Sequence, residues 1–320
     1  MKTLGPISLE QIRVAKKRIS VSVLRSPLIR LNVTDAPAEI YLKLENLQPI
    51  GSFKLRGAAN AILSTSDKEL VRGVWTASAG NMAQGVAWYA RQLGLDCNVV
   101  VPENAPAAKL IAIKRLGARI TKVPRKDWLK IYETHVYEGM KGLFIHAFSD
   151  PMVMAGNGTI GLEIFEDLPD VNSVVIPYGG GGLSCGVASA LRALNPKINV
   201  YACEVETAAP LAASLNAGEP VEINHTSSFV DGIEAHLVFP EMFFLARQLL
   251  DGSLVTSLEG IVAAIKIMAE RNHVIAEGAG AAPVAAALGG LAGAGKIACV
   301  VSGGNIDTEK LAKILAGDMP

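Results

Sequence analysis

Between Ile40 and Glu45 apolar and polar side chains alternate: Ile40, Leu42 and Leu44 against Tyr41, Lys43 and Glu45. A period of two predicts a half-buried strand. Other short runs are apolar almost throughout: Gly73–Ala77, Cys97–Val101, Ser173–Pro177, Ile198–Glu204 and Ile297–Val301, with a further strand near Arg119–Val123. Runs of this kind are strands covered on both faces, as in parallel sheets. Helical stretches fall between them. Ser8-Leu9-Glu10-Gln11 is a capping box that opens a helix running towards Arg18. Further helices are predicted from Ala58, from Val86 to Leu93, from Ala107 to Leu116 and from Leu183 to Leu194. Strand–helix alternation predicts an α/β fold of parallel sheets covered by helices. Ligands of such sheets collect at the carboxyl ends of strands, and each candidate motif below follows a predicted strand.

Gly51-Ser52-Phe53-Lys54-Leu55-Arg56-Gly57 joins the alternating strand to the Ala58 helix. It places a lysine at the mouth of a helix, just after a tight glycine. Phe53 and Leu55 flank it, and an apolar pocket favours the neutral amine that attacks a carbonyl. Lys54 is thus a candidate Schiff-base lysine; taken alone, it would read as a surface residue. Gly179-Gly180-Gly181-Gly182 lies between a strand and a helix. Four glycines let successive N–H groups converge on one anion at a helix N-terminus, a geometry suited to a phosphate monoester. Neither the G-x-x-x-x-G-K-[ST] pattern nor the acidic partner of a dinucleotide fingerprint accompanies the run, which favours a small phosphorylated cofactor over a nucleotide. A Schiff-base lysine and a phosphate cup together imply pyridoxal phosphate.

Composition narrows the partners. The 320 residues carry 30 basic and 30 acidic side chains, so no field of one sign invites nucleic acid or an acidic membrane. No stretch reaches transmembrane length without charge, and Met1–Ser20 lacks the apolar run of a signal peptide. Cys97, Cys185, Cys203 and Cys299 form no close metal-binding pair and suit a reducing cytoplasm. The five histidines show no ligand spacing, so none is given chemistry and no metal is expected.

Asn46-Leu47-Gln48-Pro49-Ile50-Gly51-Ser52-Phe53-Lys54-Leu55-Arg56-Gly57-Ala58 resembles the lysine motif of the threonine and serine dehydratases and serine racemases, pyridoxal-phosphate enzymes of the tryptophan-synthase-β fold. Ser78-Ala79-Gly80-Asn81, the tetraglycine run and Ser302-Gly303-Gly304-Asn305 are similar to that family's other blocks, in the same order, and the resemblance spans essentially the whole chain. It implies two parallel-sheet domains: a large cofactor-binding one from 1–70 and 150–320, and a small mobile one from 71–149 with the asparagine loop. It implies that Lys54 holds the cofactor and is the base at the substrate α-carbon. Phe53 would pack on the ring, Asn81 would bond its 3-oxygen and Ser302 would face its nitrogen. Gly179, Gly180, Gly181 and Gly182, with the Leu183 amide, would hold the phosphate. Ser78, Ala79 and Gly80 would receive the substrate carboxylate. The expected activity is deamination of a β-hydroxy amino acid, L-threonine or L-serine first, by a cytoplasmic homodimer. The alternatives are a dehydratase for a bulkier β-hydroxy amino acid, a serine racemase, a β-replacement synthase and a non-catalytic cofactor-binding module.

The chain departs from the family pattern at several positions. Met82 stands where the family carries His, and is either a substrate contact or a packing change. Glu204 matches the acid of the family's cation site and Ala208 could add a carbonyl, but Pro210 replaces the second acid. Glu277, in Ala276-Glu277-Gly278-Ala279-Gly280, reads either as a group beside the ring or as a structural acid. Ala79 occupies the position of the serine that serves the second face in the family's racemases. The chain ends soon after Asp307, so feedback regulation through a C-terminal domain is not expected.

Overall fold

The computed structural model describes residues 4–320. Ten strands are present among them: β1 (Leu28–Arg30), β2 (Glu39–Leu44), β3 (Val74–Ala77), β4 (Cys97–Pro102), β5 (Arg119–Val123), β6 (Leu143–Phe144), β7 (Ser173–Pro177), β8 (Asn199–Val205), β9 (Gly252–Thr256) and β10 (Lys296–Val301). They form a six-stranded sheet in the order β1-β2-β10-β7-β8-β9 and a four-stranded sheet in the order β5-β4-β3-β6. All pairings among these strands are parallel except one: β1 runs antiparallel to β2, with Ile29 opposite Leu42. The antiparallel pair adds an edge strand, β1, to an otherwise parallel sheet. Residues 31–38 join the two strands, too few for the crossover of about a dozen residues that a parallel pair needs.

Alternate positions of the larger sheet enter different cores. Val174, Ile176, Val200, Ala202, Ala298 and Val300 pack with the Leu9–Ile19, Pro151–Asp167, Gly182–Leu194 and Pro240–Leu249 helices. Ile40, Leu42, Val175, Cys203, Ile297 and Cys299 face the Leu258–Asn272 and Gly278–Leu288 helices. The smaller sheet has its own core, shared with the Lys54–Leu63 and Asn81–Gln92 helices. All four cysteines are buried and unpaired. No helix among the described residues is long and apolar enough to cross a membrane.

The half-buried reading of β2 also needs correction, because Lys43 is fully buried and so is Glu45. Both belong to an ion network beneath the Lys54 helix. Arg56, 1% exposed, donates from Nε and Nη2 to the two Glu45 oxygens, each at 2.8 Å. Its Nη1 and Nη2 donate to the two Glu163 oxygens, also at 2.8 Å. Lys43 Nζ donates to Glu163 at 2.6 Å and to the Ser26 carbonyl at 2.6 Å. Ser26 Oγ and Gln48 Nε2 complete the shell of Glu45, at 2.5 and 3.2 Å. Two cations and two anions balance, and each oxygen has a donor. Burial pushes the Glu163 carboxyl up, but Arg56 and Lys43 outweigh it and hold the group below its usual range.

Removing Arg56 would leave the buried Glu45 without a cation and Glu163 with Lys43 alone. Arg56→Ala is expected to destabilise the fold by about 3–5 kcal/mol, the usual result of breaking a buried ion pair from one side. Urea unfolding measures it, and a midpoint equal to that of the unmodified chain would refute the account.

Candidate active site

Lys54 is the first residue of the Lys54–Leu63 helix, and the segment before it is laced to the segment after β10. Phe53 N–H donates to the Ser302 carbonyl at 2.9 Å, and Gly304 N–H to the Gly51 carbonyl at 2.9 Å. Ser52 and Gly303 form an antiparallel bridge, and Asn305 Nδ2 donates to the Ile50 carbonyl at 2.8 Å. Gly51 has φ +71°, and a Cβ there would lie 2.6 Å from Asn305 Oδ1, so only glycine fits. Two motifs far apart in the chain thus form one unit. Lys54 Nζ donates to the Ala147 carbonyl at 2.9 Å and stands 5.0 Å from the centre of the Phe53 ring. Burial pulls its pKa down to about 8, with Glu277 opposing the shift.

The glycine run leaves β7 and enters the Gly182–Leu194 helix. The first amides of a helix have no partner within it and point outward. At three of its four positions the run has no room for a side chain. A Cβ on Gly180 would lie 2.2 Å from the Phe148 ring, one on Gly182 2.6 Å from Phe148 Cα, and one on Gly181 2.8 Å from Tyr178 Oη. Leu183 is 5% exposed just behind the run. Tyr178 Oη is buried and lacks a hydrogen-bond partner, as does Ser52 Oγ. A cradle that any Cβ would fill, backed by an orphaned hydroxyl, fits a phosphate group. Ala147 and Phe148 are consecutive, so one short loop touches both Lys54 and the glycine run.

Ser78, Ala79 and Gly80 follow β3 and lead into the Asn81–Gln92 helix, all partly exposed. Gly80 N–H donates to Ser78 Oγ at 3.2 Å, and no atom would lie within 4 Å of a Cβ on Gly80, so open space adjoins this turn. A helix N-terminus beside open space suits a carboxylate. Asn81 accepts from Asn305 Nδ2 at 2.8 Å and donates to Glu277 Oε1 at 2.8 Å. One amide hydrogen of Asn81 remains for a further acceptor. Ser302 follows β10 directly and is 2% exposed.

Two expectations change. Met82 is 1% exposed within the small sheet's core, which favours its packing reading over a substrate contact. Glu204 is committed elsewhere: it accepts the Leu211 and Ala212 amides at 2.8 Å each and the Ser253 hydroxyl at 2.6 Å, and so caps the Pro210–Ala217 helix. Among the described residues no cluster of His, Cys, Asp and Glu could hold a metal ion. Glu277, left open by the sequence, joins the site. It sits at the N-cap of the Gly278–Leu288 helix without capping it, and its side chain turns to Asn81 instead. Burial pushes its pKa up to about 7, Asp231 adding to the rise. The Ala147 carbonyl carried no sequence signal, since a backbone oxygen has none.

Residues 19–303 match the family described as pyridoxal-phosphate dependent enzyme. The chain is 41% identical over 314 residues to an L-threonine ammonia-lyase of Thermotoga maritima, covering 97% of this chain and 78% of that one. It is 38% identical over 325 residues to a catabolic L-threonine dehydratase of Staphylococcus aureus, covering 98% and 94%. Among solved structures it is similar to maize serine racemase, with TM-score 0.89, 32% identity and 98% of both chains covered. The processed form of threonine deaminase isoform 2 from Solanum lycopersicum overlays with TM-score 0.85 at 34% identity, covering 98% of this chain and 96% of that one.

The lowered Lys54 pKa gives a direct test on the cofactor-stripped chain. Below about pH 8 the amine is protonated and unreactive; above it the neutral form dominates. Labelling of Lys54 by a small aldehyde with borohydride trapping should therefore rise with pH through about 8 and level off above it. Mass spectrometry of the Lys54 peptide reads the profile, and a rise displaced to the ordinary lysine range would refute the buried amine.

Proposed function

Because the chain belongs to the family of pyridoxal-phosphate dependent enzymes, we propose that it is a lyase that deaminates L-threonine first, and L-serine, to a 2-oxo acid and ammonia. The observation that carries this reading is the amine of Lys54, lowered by burial and tied through Ala147 and Phe148 to the glycine cradle. Relatives named L-threonine ammonia-lyase or dehydratase, alike over nearly the whole chain, support the substrate.

The residues present fit pyridoxal phosphate. Gly179, Gly180, Gly181, Gly182 and the Leu183 amide hold its phosphate in this reading, Phe53 packs beside its ring, the free amide hydrogen of Asn81 meets its 3-oxygen, and Ser302 faces its nitrogen. When bound, the cofactor withdraws electrons from the substrate α-carbon and so acidifies its proton. Lys54 takes that proton at Nζ. The Ser78-Ala79-Gly80 turn and the following helix N-terminus orient the substrate carboxylate. The Ser302 hydroxyl brings no negative charge to the ring, which favours prompt loss of the β-hydroxyl over a long-lived carbanion. The unit 71–149 moves in this reading. Asn81–Glu277 and Lys109–Asp231, each at 2.8 Å, are among the contacts that close it on the rest. A cytoplasmic location belongs to the same reading, since four buried thiols suit a reducing compartment. A homodimer is part of it as well, and sedimentation would test it.

The overlay with a serine racemase raises a second reading. Racemisation needs a base on each face of the planar carbanion. Lys54 serves one face, and Ala79 presents a methyl group to the other, which can neither give nor take a proton. Ser78 Oγ is engaged with the Gly80 amide. The expectation is elimination without epimerisation. Incubated with L-threonine, the holoenzyme should release 2-oxobutanoate and almost no epimer by chiral chromatography. Lys54→Ala should lower turnover by orders of magnitude, since cofactor anchor and base go together. Ala79→Ser should raise epimer relative to 2-oxo acid. Epimerisation as fast as deamination in the unmodified chain would overturn the lyase reading.

A further inference from the structure

The loop that touches both Lys54 and the glycine cradle is held by a histidine that the sequence left without a role. His146 is 2% exposed, one residue before Ala147. Its Nδ1 accepts the Phe148 amide at 3.2 Å and the Ser149 amide at 2.8 Å. Because Nδ1 accepts, the ring hydrogen is on Nε2, which faces the Tyr132 carbonyl at 3.3 Å. The arrangement copies the turn that an Asn or Asp side chain makes with amides two and three residues ahead. Its product is a fixed backbone path. Ala147 turns its carbonyl onto Lys54 Nζ at 2.9 Å, and Phe148 lays its ring and backbone against Gly180 and Gly182. Phe148 is braced in turn by Tyr132, stacked at 5.5 Å, and by the His146 ring edge at 4.5 Å. Immediately beyond, Ser149 Oγ donates to Glu241 and Asp150 caps the Pro151–Asp167 helix, so the loop is anchored at both ends.

We propose that His146 is a positioning residue for the cofactor site: as an uncharged acceptor at Nδ1 it fixes the Ala147–Ser149 turn, and through that turn it seats the Lys54 amine and roofs the glycine cradle. Burial, the largest influence, keeps the imidazole neutral and so keeps Nδ1 an acceptor, its pKa falling to about 3. The inference rests on the placement of pyridoxal phosphate at Lys54 and the glycines, and not on which amino acid is deaminated.

Two variants separate the acceptor from the ring. His146→Asn puts an oxygen near the place of Nδ1 but loses the ring. His146→Phe keeps a ring of similar size but offers no acceptor and leaves two buried amides unpaired. The readouts are the dissociation constant of pyridoxal phosphate for the stripped chain, followed by absorbance, and the melting temperature of the same stripped chain. His146→Phe should weaken cofactor binding by roughly tenfold or more, as expected for unpaired buried amides at the site. His146→Asn should stay within about threefold of the unmodified chain, a difference well under 1 kcal/mol. The reverse order, with Phe binding normally and Asn impaired, would mean that the ring only packs, and equal impairment of both would mean the same; either overturns the proposal. Should His146→Phe not fold, His146→Asn decides alone, normal binding supporting the acceptor role and lost binding refuting it. An unmodified chain that binds pyridoxal phosphate but leaves threonine untouched would sink the substrate reading and leave this comparison intact.

Discussion

The geometry of the site depends on one buried cation. Arg56 lies two residues beyond Lys54 and cannot leave the interior without abandoning Glu45 and Glu163. Glu45 ends the segment that begins in β2, and Glu163 lies in the Pro151–Asp167 helix, so one guanidinium joins a strand end and two helices. A planar fork suits this task where an ammonium would not, because it meets two carboxylates bidentately with fixed directions. The buried network adds little net stability compared with a well-packed apolar core, since desolvation offsets most of its attraction. What it supplies is a single permitted position for the start of the Lys54 helix.

A second constraint acts on the other side of that helix. The Gly51–Phe53 segment runs along Ser302–Asn305 through backbone bonds, and Asn305 reaches on to Asn81. Asn81 belongs to the unit with the small sheet and is held at both ends of its amide, by Asn305 and by Glu277. Lys54, Ser302 and Asn81 are thus coupled by a short chain of hydrogen bonds, not by three separate supports. The loop at His146 closes the circuit from the opposite wall.

The parts of this arrangement that the sequence made legible are those where chemistry demands a residue type locally. A Cβ would collide at Gly180, Gly181 and Gly182, so those positions had to be glycine and the run could be read as an anion cradle. Lys54 between apolar neighbours was visible for the same reason, whereas Ser302 was visible only through the family resemblance of its block. What stayed hidden depended on partners outside the local pattern. Lys43 and Glu45 alternate with apolar residues as surface groups do; Glu163, 120 residues from Lys43, accounts for the burial of Lys43, and Arg56 for that of Glu45. The Pro151–Asp167 helix escaped the periodic reading because it is buried along most of its length and lacks a polar face. Its Gly156 lies where a Cβ would come within 2.4 Å of the Arg56 carbonyl, a packing requirement that resembles a turn signal in sequence. His146 gave no spacing to detect, because its partners are the amides of its own loop.

Burial acts on the two ionisable groups of the cleft in opposite directions, and the outcome is chemically useful. It disfavours charge on Lys54 and on Glu277 alike, lowering the amine to about 8 and raising the acid to about 7. Ordinarily an amine and a carboxyl differ by about six units, so their ion pair is overwhelmingly favoured in water. Here burial narrows that gap from both sides. The charged form of each group is then less favoured than it is in water. In the role proposed for it, Lys54 must be neutral to attack a carbonyl and must later hold a proton, and a site whose burial disfavours the charged amine suits the first of these. Glu277 is free to titrate since its side chain does not cap its own helix, and Asn81, which donates to it, is neutral. An arginine or lysine in place of Asn81 would pin Glu277 as a carboxylate and, through it, hold Lys54 closer to its charged form. The same asparagine that in the proposed reading offers an amide hydrogen to the cofactor therefore also leaves the acid behind it able to titrate.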